Sequence, residues 1–86
     1  LNLSSNFYKF DKFDFINYIS KNIVAMELSH NDGYQDQHLP LKPKGWYWNL
    51  INNKKFKKTY KILEFRNTSK KKLINNIKLF NKKNEF

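Results

Sequence analysis

The stretch WYWNLINNKKFKKTYKILEFR, residues 46–66, decides the predicted fold. Its first six residues are rich in the aromatic side chains that favour strands. Asn52 and Asn53, followed by lysines, are typical of a turn. From Lys57 to Arg66 the side chains alternate, so a second strand is expected there. One side of that strand carries Thr59, Lys61, Leu63 and Phe65, and the other carries Lys58, Tyr60, Ile62 and Glu64. The stretch therefore predicts a β-hairpin.

Two further elements are predicted before this hairpin. Residues 1–5 alternate apolar and polar side chains, which predicts a half-buried strand. A helix is predicted over residues 11–27, because Asp11 and Asp14 suit a helix N-terminus and an apolar stripe follows them. A strand over residues 23–28 is the alternative, but that run has no period of two. The stripe consists of Ile16, Ile19, Ile23 and Met26.

A polar loop and a last helix complete the predicted order. Residues 29–36 contain the turn signal Asp32-Gly33, and Pro40 and Pro43 favour an extended path after it. Thr68 or Ser69 is expected to cap a final helix, and residues 81–86 to form a polar tail. The core-facing positions of that helix are predicted to be Leu73, Ile74, Ile77 and Phe80. The order is strand, helix, hairpin, helix.

Length and composition limit the fold and the function. The 86 residues predict a single domain, residues 1–86, of the α+β class, in which two helices cover one face of a small antiparallel sheet. The absence of cysteine excludes disulfides, thiolate zinc sites and thiol catalysis. The sequence contains no run of about 18 apolar residues, so no membrane span is predicted. No cleavable signal peptide is expected either.

The charge is concentrated in the second half of the chain. Residues 1–43 have a net charge of −1, whereas residues 44–86 carry 13 basic and two acidic side chains. Such a distribution is typical of a protein that lays one face on a polyanion, and it favours nucleic acid over a membrane surface. We expect the lysines around residues 54–58 to contact RNA phosphates, and Trp46 and Trp48 mainly to pack.

No catalytic or metal site is predicted. His30 and His38 lie near Asp32 and Asp36, but their spacing matches no usual zinc pattern. Ser29, His30 and Asp32 have the residue types of a hydrolase without a nucleophile elbow or an oxyanion loop. With only two glycines there is no phosphate-binding loop. We therefore predict no enzyme, no cofactor and no small-molecule substrate.

The residue usage favours an organellar origin. The chain has 16 lysines but one arginine, together with 13 asparagines. Lysine, asparagine, isoleucine and phenylalanine have AT-rich codons, so an AT-rich genome is the expected source. A protist nucleus or a reduced organelle has such a genome, and the composition favours an organelle. Together with the degenerate motifs described below, it predicts a mitochondrial protein, with another AT-rich organelle as the second choice.

Several segments resemble the S-ten family of small-subunit ribosomal proteins. Leu39-Pro40-Leu41-Lys42-Pro43-Lys44 and the following Trp46-Tyr47-Trp48-Asn49-Leu50 are similar to that family's "IPLPTK"-like segment and the strand after it. Lys58-Thr59-Tyr60-Lys61 and Ile62-Leu63-Glu64-Phe65 are similar to its "RTHKR" and "LIDI" motifs. Residues 68–79 are similar to its last helix, "TPKTVDALMRL". The chain departs from the family at Tyr60, where the family has His, and in a shorter hairpin tip.

The resemblance implies a fold, a function and partners. The implied fold is ferredoxin-like, β-α-β-β-α, with the final strand missing or reduced. The implied function is a structural constituent of the small subunit of an organellar ribosome, bound in the head to small-subunit ribosomal RNA. Neighbours would come from the S-three, S-nine and S-fourteen families. The candidate RNA-binding residues are Lys42, Lys44, Lys54, Lys55, Lys57, Lys58, Thr59, Tyr60 and Lys61. The alternative is a basic accessory subunit of an organellar membrane (respiratory) complex.

Overall fold

A computed structural model describes residues 1–83. These residues form a mixed α+β structure, so the predicted class is confirmed. The α-helices and strands are, in chain order, α1 (Asn2–Tyr8), α2 (Lys12–Ile19), β1 (Ala25–Leu28), α3 (Trp48–Ile51), β2 (Tyr60–Leu63) and α4 (Lys70–Lys83). Two 3₁₀ turns, Ser20–Asn22 and Lys54–Phe56, lie between them.

The sheet is parallel, and the predicted antiparallel sheet is therefore wrong. Strand β1 pairs with β2 in a register that runs from Ala25 opposite Tyr60 to Leu28 opposite Leu63. Antiparallel neighbours can be joined by a tight turn, but parallel strands need a crossover of a dozen or more residues. Here the connection contains the 29–36 loop and α3. The ferredoxin-like topology is not the one observed within residues 1–83.

The N-terminal third differs from its prediction at two places. Residues 1–5, expected to be a strand, lie largely in helix α1. The helix predicted over residues 11–27 ends at Ile19, and Ala25–Leu28 forms β1 instead. The alternative of a strand at 23–28 was thus nearer to the structure. Pairing with β2 overrides the helical spacing, because short apolar runs suit either element and tertiary contacts decide between them.

The predicted first arm of the hairpin is a helix. Trp48–Ile51 forms α3, so residues 46–51 do not pair with β2. The burial of consecutive side chains gives the reason: Tyr47 is 6% exposed and Trp48 is 8% exposed. Successive side chains of a strand point to opposite faces, whereas a helical turn can direct two neighbours into the same core. Trp46 and Trp48 therefore do not share a strand face.

The core is built around α3. Leu41, Tyr47, Trp48 and Ile51 form a buried cluster, against which side chains from both strands and from α4 pack. On β2 the predicted alternation is confirmed, since Lys61 and Leu63 are half-buried while Tyr60 and Ile62 are exposed. The stripe predicted from residue 16 to residue 26 also faces inward. Its residues Ile16, Ile19, Ile23 and Met26 line an apolar cavity of about 340 Å³.

Helix α4 begins as predicted but presents another face to the core. The Ser69 hydroxyl accepts a hydrogen bond from the Lys72 backbone N–H at 3.2 Å, which confirms the expected cap. Asn76, Leu79 and Phe80 contact the core. The predicted core positions Leu73, Ile74 and Ile77 are exposed, so the expectation is wrong for these three and confirmed for Phe80. The predicted tail is also wrong for residues 81–83, which belong to α4, and residues 84–86 lie outside the described residues.

Candidate nucleic-acid interface

Four lysines surround a buried phenylalanine in the turn before β2. We call residues 54–58 the basic turn: Lys54, Lys55, Phe56, Lys57 and Lys58. Asn53 caps its 3₁₀ segment, because its side-chain oxygen accepts a hydrogen bond from the Lys55 N–H at 3.0 Å. Phe56 is 1% exposed and anchors the turn, while all four lysines are exposed. The turn thus places four positive charges on the surface within five residues.

These positive charges are not neutralised by acids among residues 1–83. Within residues 1–83, both ion pairs belong to Asp36, which contacts His38 at 2.8 Å and Arg66 at 3.3 Å. The ammonium group of Lys55 instead donates to the amide oxygen of Asn17 at 2.7 Å, which ties the basic turn to α2. A neutral acceptor leaves the lysine charge uncompensated, so the surface suits a polyanion.

Of the three candidates that follow the basic turn, only Lys61 reaches back to it with its side chain. The ammonium group of Lys61 donates to the Phe56 carbonyl and is half-buried. Thr59 is half-buried as well, and its N–H donates to the same carbonyl at 3.1 Å. Tyr60 is exposed on the outer face of the sheet. The structure therefore brings the four lysines and the Lys61 ammonium together, whereas Thr59 is half-buried and Tyr60 lies on the outer face of the sheet.

Lys42 and Lys44 lie in a different loop, which the core holds in place. The Lys42 N–H donates to the Tyr47 hydroxyl at 2.8 Å, and the Lys42 carbonyl accepts from the Trp48 indole N–H at 2.8 Å. The side chains of both lysines remain exposed. The Trp46 ring is not open for stacking on a base, because the Lys12 ammonium lies 4.0 Å from its centroid and Phe13 packs on it edge to face. This arrangement agrees with the expectation that the tryptophans pack.

Helix α4 adds a basic stripe that was not among the predicted RNA-binding residues. Lys71, Lys78 and Lys82 are seven and four residues apart, which places them on one helix face. All three are exposed. The sequence contains this spacing, but the prediction placed Lys82 in a polar tail at residues 81–86. A frayed end has no fixed face, so no stripe was expected there.

The outer face of the sheet carries acidic rather than basic side chains. Glu27 and Glu64 are neighbours there, and a hydrogen bond shared with Glu64, together with repulsion from it, raises the pKa of Glu27. Carboxylates in this position repel phosphates. A phosphate interface is therefore favoured at the basic turn and disfavoured across the outer face of β1 and β2.

The histidines take part in local hydrogen bonds. His30 Nδ1 lies 2.9 Å from the Tyr47 hydroxyl, and burial, aided by the charge of Lys42, lowers the pKa of His30. Burial likewise raises the pKa of Tyr47. Among residues 1–83, no three side chains of the His, Asp or Glu type are grouped closely enough to hold a metal ion.

Known proteins give no assignment for this arrangement. Comparisons with protein families, curated proteins and solved structures found no match. Over the described part of the chain, no helix has the length and apolar character needed to cross a membrane.

Proposed function

We propose that this chain is an RNA-binding structural protein whose main contact is the basic turn. The observation that carries the proposal is the set of four exposed lysines in five residues, none of which pairs with an acid within residues 1–83. Phosphate contacts supply most of the non-specific affinity for nucleic acid, and clustered lysines release several counterions together. The stripe on α4 adds three further exposed lysines.

We further propose that the RNA is small-subunit ribosomal RNA of an organelle, in the first place a mitochondrion. The resemblance of residues 39–65 and 68–79 to the S-ten family and the bias toward lysine and asparagine support this assignment. The parallel sheet and the helical 48–51 segment do not add to it, because the family resemblance implies another topology. Neighbours from the S-three, S-nine and S-fourteen families, and the absence of an enzymatic activity, stay predictions.

RNA binding is tested by measuring affinity for an RNA oligonucleotide over a range of salt concentrations. In one variant Lys54, Lys55, Lys57 and Lys58 are replaced by Gln; in the matched variant Lys70, Lys71, Lys78 and Lys82 are replaced. Both variants have the same net charge. The first should weaken binding more and reduce the salt slope by up to about 3, since each phosphate contact contributes roughly 0.7. The lysines of the second set extend over about 18 Å of helix and act less in concert.

Two results would contradict the proposal. Binding of the unmodified chain that does not respond to salt would exclude a phosphate-dominated contact. An equal loss in the two variants would show that net charge matters and that the basic turn is not the main contact. Circular dichroism of each variant checks that the helices are retained.

The alternative, an accessory subunit of an organellar membrane complex, has one observation in its favour. Helix α4 exposes Leu73, Ile74 and Ile77 beside its lysines, and a basic helix with an apolar strip suits a membrane surface or a protein partner. Sedimentation through a sucrose gradient separates the two functions. Migration with a small-subunit particle that is lost after ribonuclease treatment supports RNA binding, whereas detergent-dependent migration with respiratory activity supports the alternative.

A further inference from the structure

A shallow groove separates α2 from the basic turn. Its volume is about 260 Å³, and its walls come from α2 on one side and from α3 and the basic turn on the other. The hydrogen bond between Lys55 and Asn17 joins the two sides. The residues that line it include Phe13, Asn17, Asn49, Asn53 and Lys55.

The amide groups in this groove have unused hydrogen-bonding capacity. The oxygens of Asn17 and Asn53 each accept a hydrogen bond from Lys55, at 2.7 and 3.0 Å. Their NH₂ groups have no hydrogen-bond partner within residues 1–83, and neither does the side chain of Asn49. Amide donors and acceptors are the groups with which proteins contact the edges of unpaired bases.

An aromatic ring stands at the same groove. Phe13 is 50% exposed, yet the Trp46 ring holds it at a centroid distance of 5.6 Å in an edge-to-face arrangement. An aromatic side chain that is already fixed loses little entropy when a base stacks on it. Stacking on aromatic side chains is a common way in which proteins bind single-stranded nucleic acid.

We infer that the groove holds one unpaired base of an RNA strand whose phosphates lie on the basic turn. This inference rests on the proposed function, because the four lysines supply the charge complementarity that directs an RNA strand to the groove. Phe13 stacks on the base, and the amides of Asn17, Asn49 and Asn53 contact its edge. A base within a duplex is paired and stacked and cannot enter. The chain should therefore prefer a single strand to a duplex of the same length.

The test compares the affinity of the full chain for a single-stranded RNA and for a duplex of equal length. Phe13→Leu removes the ring, and Asn49→Ala removes an exposed amide that makes no hydrogen bond within residues 1–83. Each should weaken single-strand binding, roughly tenfold for the ring, without changing duplex binding or the salt slope. Phe7→Leu, a change at an exposed ring on α1, is the matched control and should change neither affinity.

The outcomes separate this inference from the proposed function. If the four-lysine variant of the basic turn binds as well as the unmodified chain, the proposed function and this inference both fail. If that variant is impaired but Phe13→Leu and Asn49→Ala retain the full single-strand affinity, the groove does not hold a base and only the phosphate contact stands. Since Asn49 makes no hydrogen bond within residues 1–83, its variant remains informative even if Phe13→Leu disturbs α2.

Discussion

The side-chain amide of Asn76 forms two hydrogen bonds to the backbone of Leu41. Its oxygen accepts from the Leu41 N–H at 3.1 Å, and its NH₂ group donates to the Leu41 carbonyl at 2.9 Å. Both residues are buried. The one amide thus satisfies both backbone hydrogen-bonding groups of Leu41, which lies outside the two strands. It also attaches α4 to the loop that carries Lys42.

We expect Asn76→Ala to destabilise the protein by about 2–4 kcal/mol, because it leaves a buried N–H and a buried carbonyl without partners. The midpoint of urea unfolding measures the loss. Asn75→Ala is the matched control: Asn75 is exposed on the same helix, and alanine is the better helix former, so its midpoint should not fall. Equal midpoints for the two variants would show that the Asn76 bonds contribute nothing.

The start of α2 allows a second stability prediction. One carboxylate oxygen of Asp11 accepts hydrogen bonds from the Phe13 N–H at 2.8 Å and from the Asp14 N–H at 3.0 Å. Asp11→Ala removes this cap and should cost about 1 kcal/mol in the free energy of unfolding. Asp11→Asn keeps an oxygen in the same place and should retain most of the stability. A comparable loss in both variants would assign the effect to charge rather than to capping.

Local chemistry explains which parts of the fold could be predicted. The caps at Asp11 and Ser69 depend on residues two or three positions away, and the alternation along β2 depends on its own side chains. The pairing of Ala25 with Tyr60 joins residues 35 positions apart. No local pattern identifies that partner, and the 23–28 run fits a helix or a strand until it is paired.

In the candidate site, too, the features set by neighbouring residues could be predicted and those set by distant contacts could not. The lysines of the basic turn are neighbours in sequence, so any compact turn brings them together. The hydrogen bond from the Lys61 ammonium to the Phe56 carbonyl depends on where the 3₁₀ turn places that carbonyl. The groove beside α2 depends on contacts across 38 positions, from Asn17 to Lys55, and no spacing in the sequence indicates them.

Acid should destabilise the protein through His30. Burial and the charge of Lys42 lower the pKa of His30 below its ordinary value of 6.5, with Asp32 acting weakly in the opposite direction. The folded chain then binds fewer protons at this site than the unfolded chain, so stability is lost as the pH falls below about 6.5 and through the folded pKa. Once His30 is protonated, both of its ring nitrogens are donors, so Nδ1 can then only donate to the Tyr47 hydroxyl.

His30→Asn keeps a hydrogen-bonding side chain without a titrating group and should reduce this loss of stability. Urea unfolding at about pH 7.5 and about pH 5.5 measures it, with the ordinary histidine pKa lying between the two. His38→Asn is the control, since asparagine tolerates the positive φ of that position and leaves His30 in place. The prediction is wrong if His30→Asn and the unmodified chain lose equal stability on acidification.

Glu27 should produce a pH dependence of the opposite sign. The shared hydrogen bond and the repulsion from Glu64 raise the pKa of Glu27 above 4.5, so the folded chain keeps this proton to a higher pH than the unfolded chain does. Its contribution to stability is therefore full below about pH 4.5 and is lost as the pH rises through the folded pKa. Glu27→Gln keeps a hydrogen-bond donor toward Glu64 without the charge. In thermal unfolding, this variant should have a modestly higher melting temperature than the unmodified chain at neutral pH and nearly the same melting temperature near pH 4. Glu64→Gln should behave alike, because either substitution removes one of the two charges. A melting temperature that stays equal to that of the unmodified chain at both pH values would show that the two carboxyl groups do not interact in the folded protein.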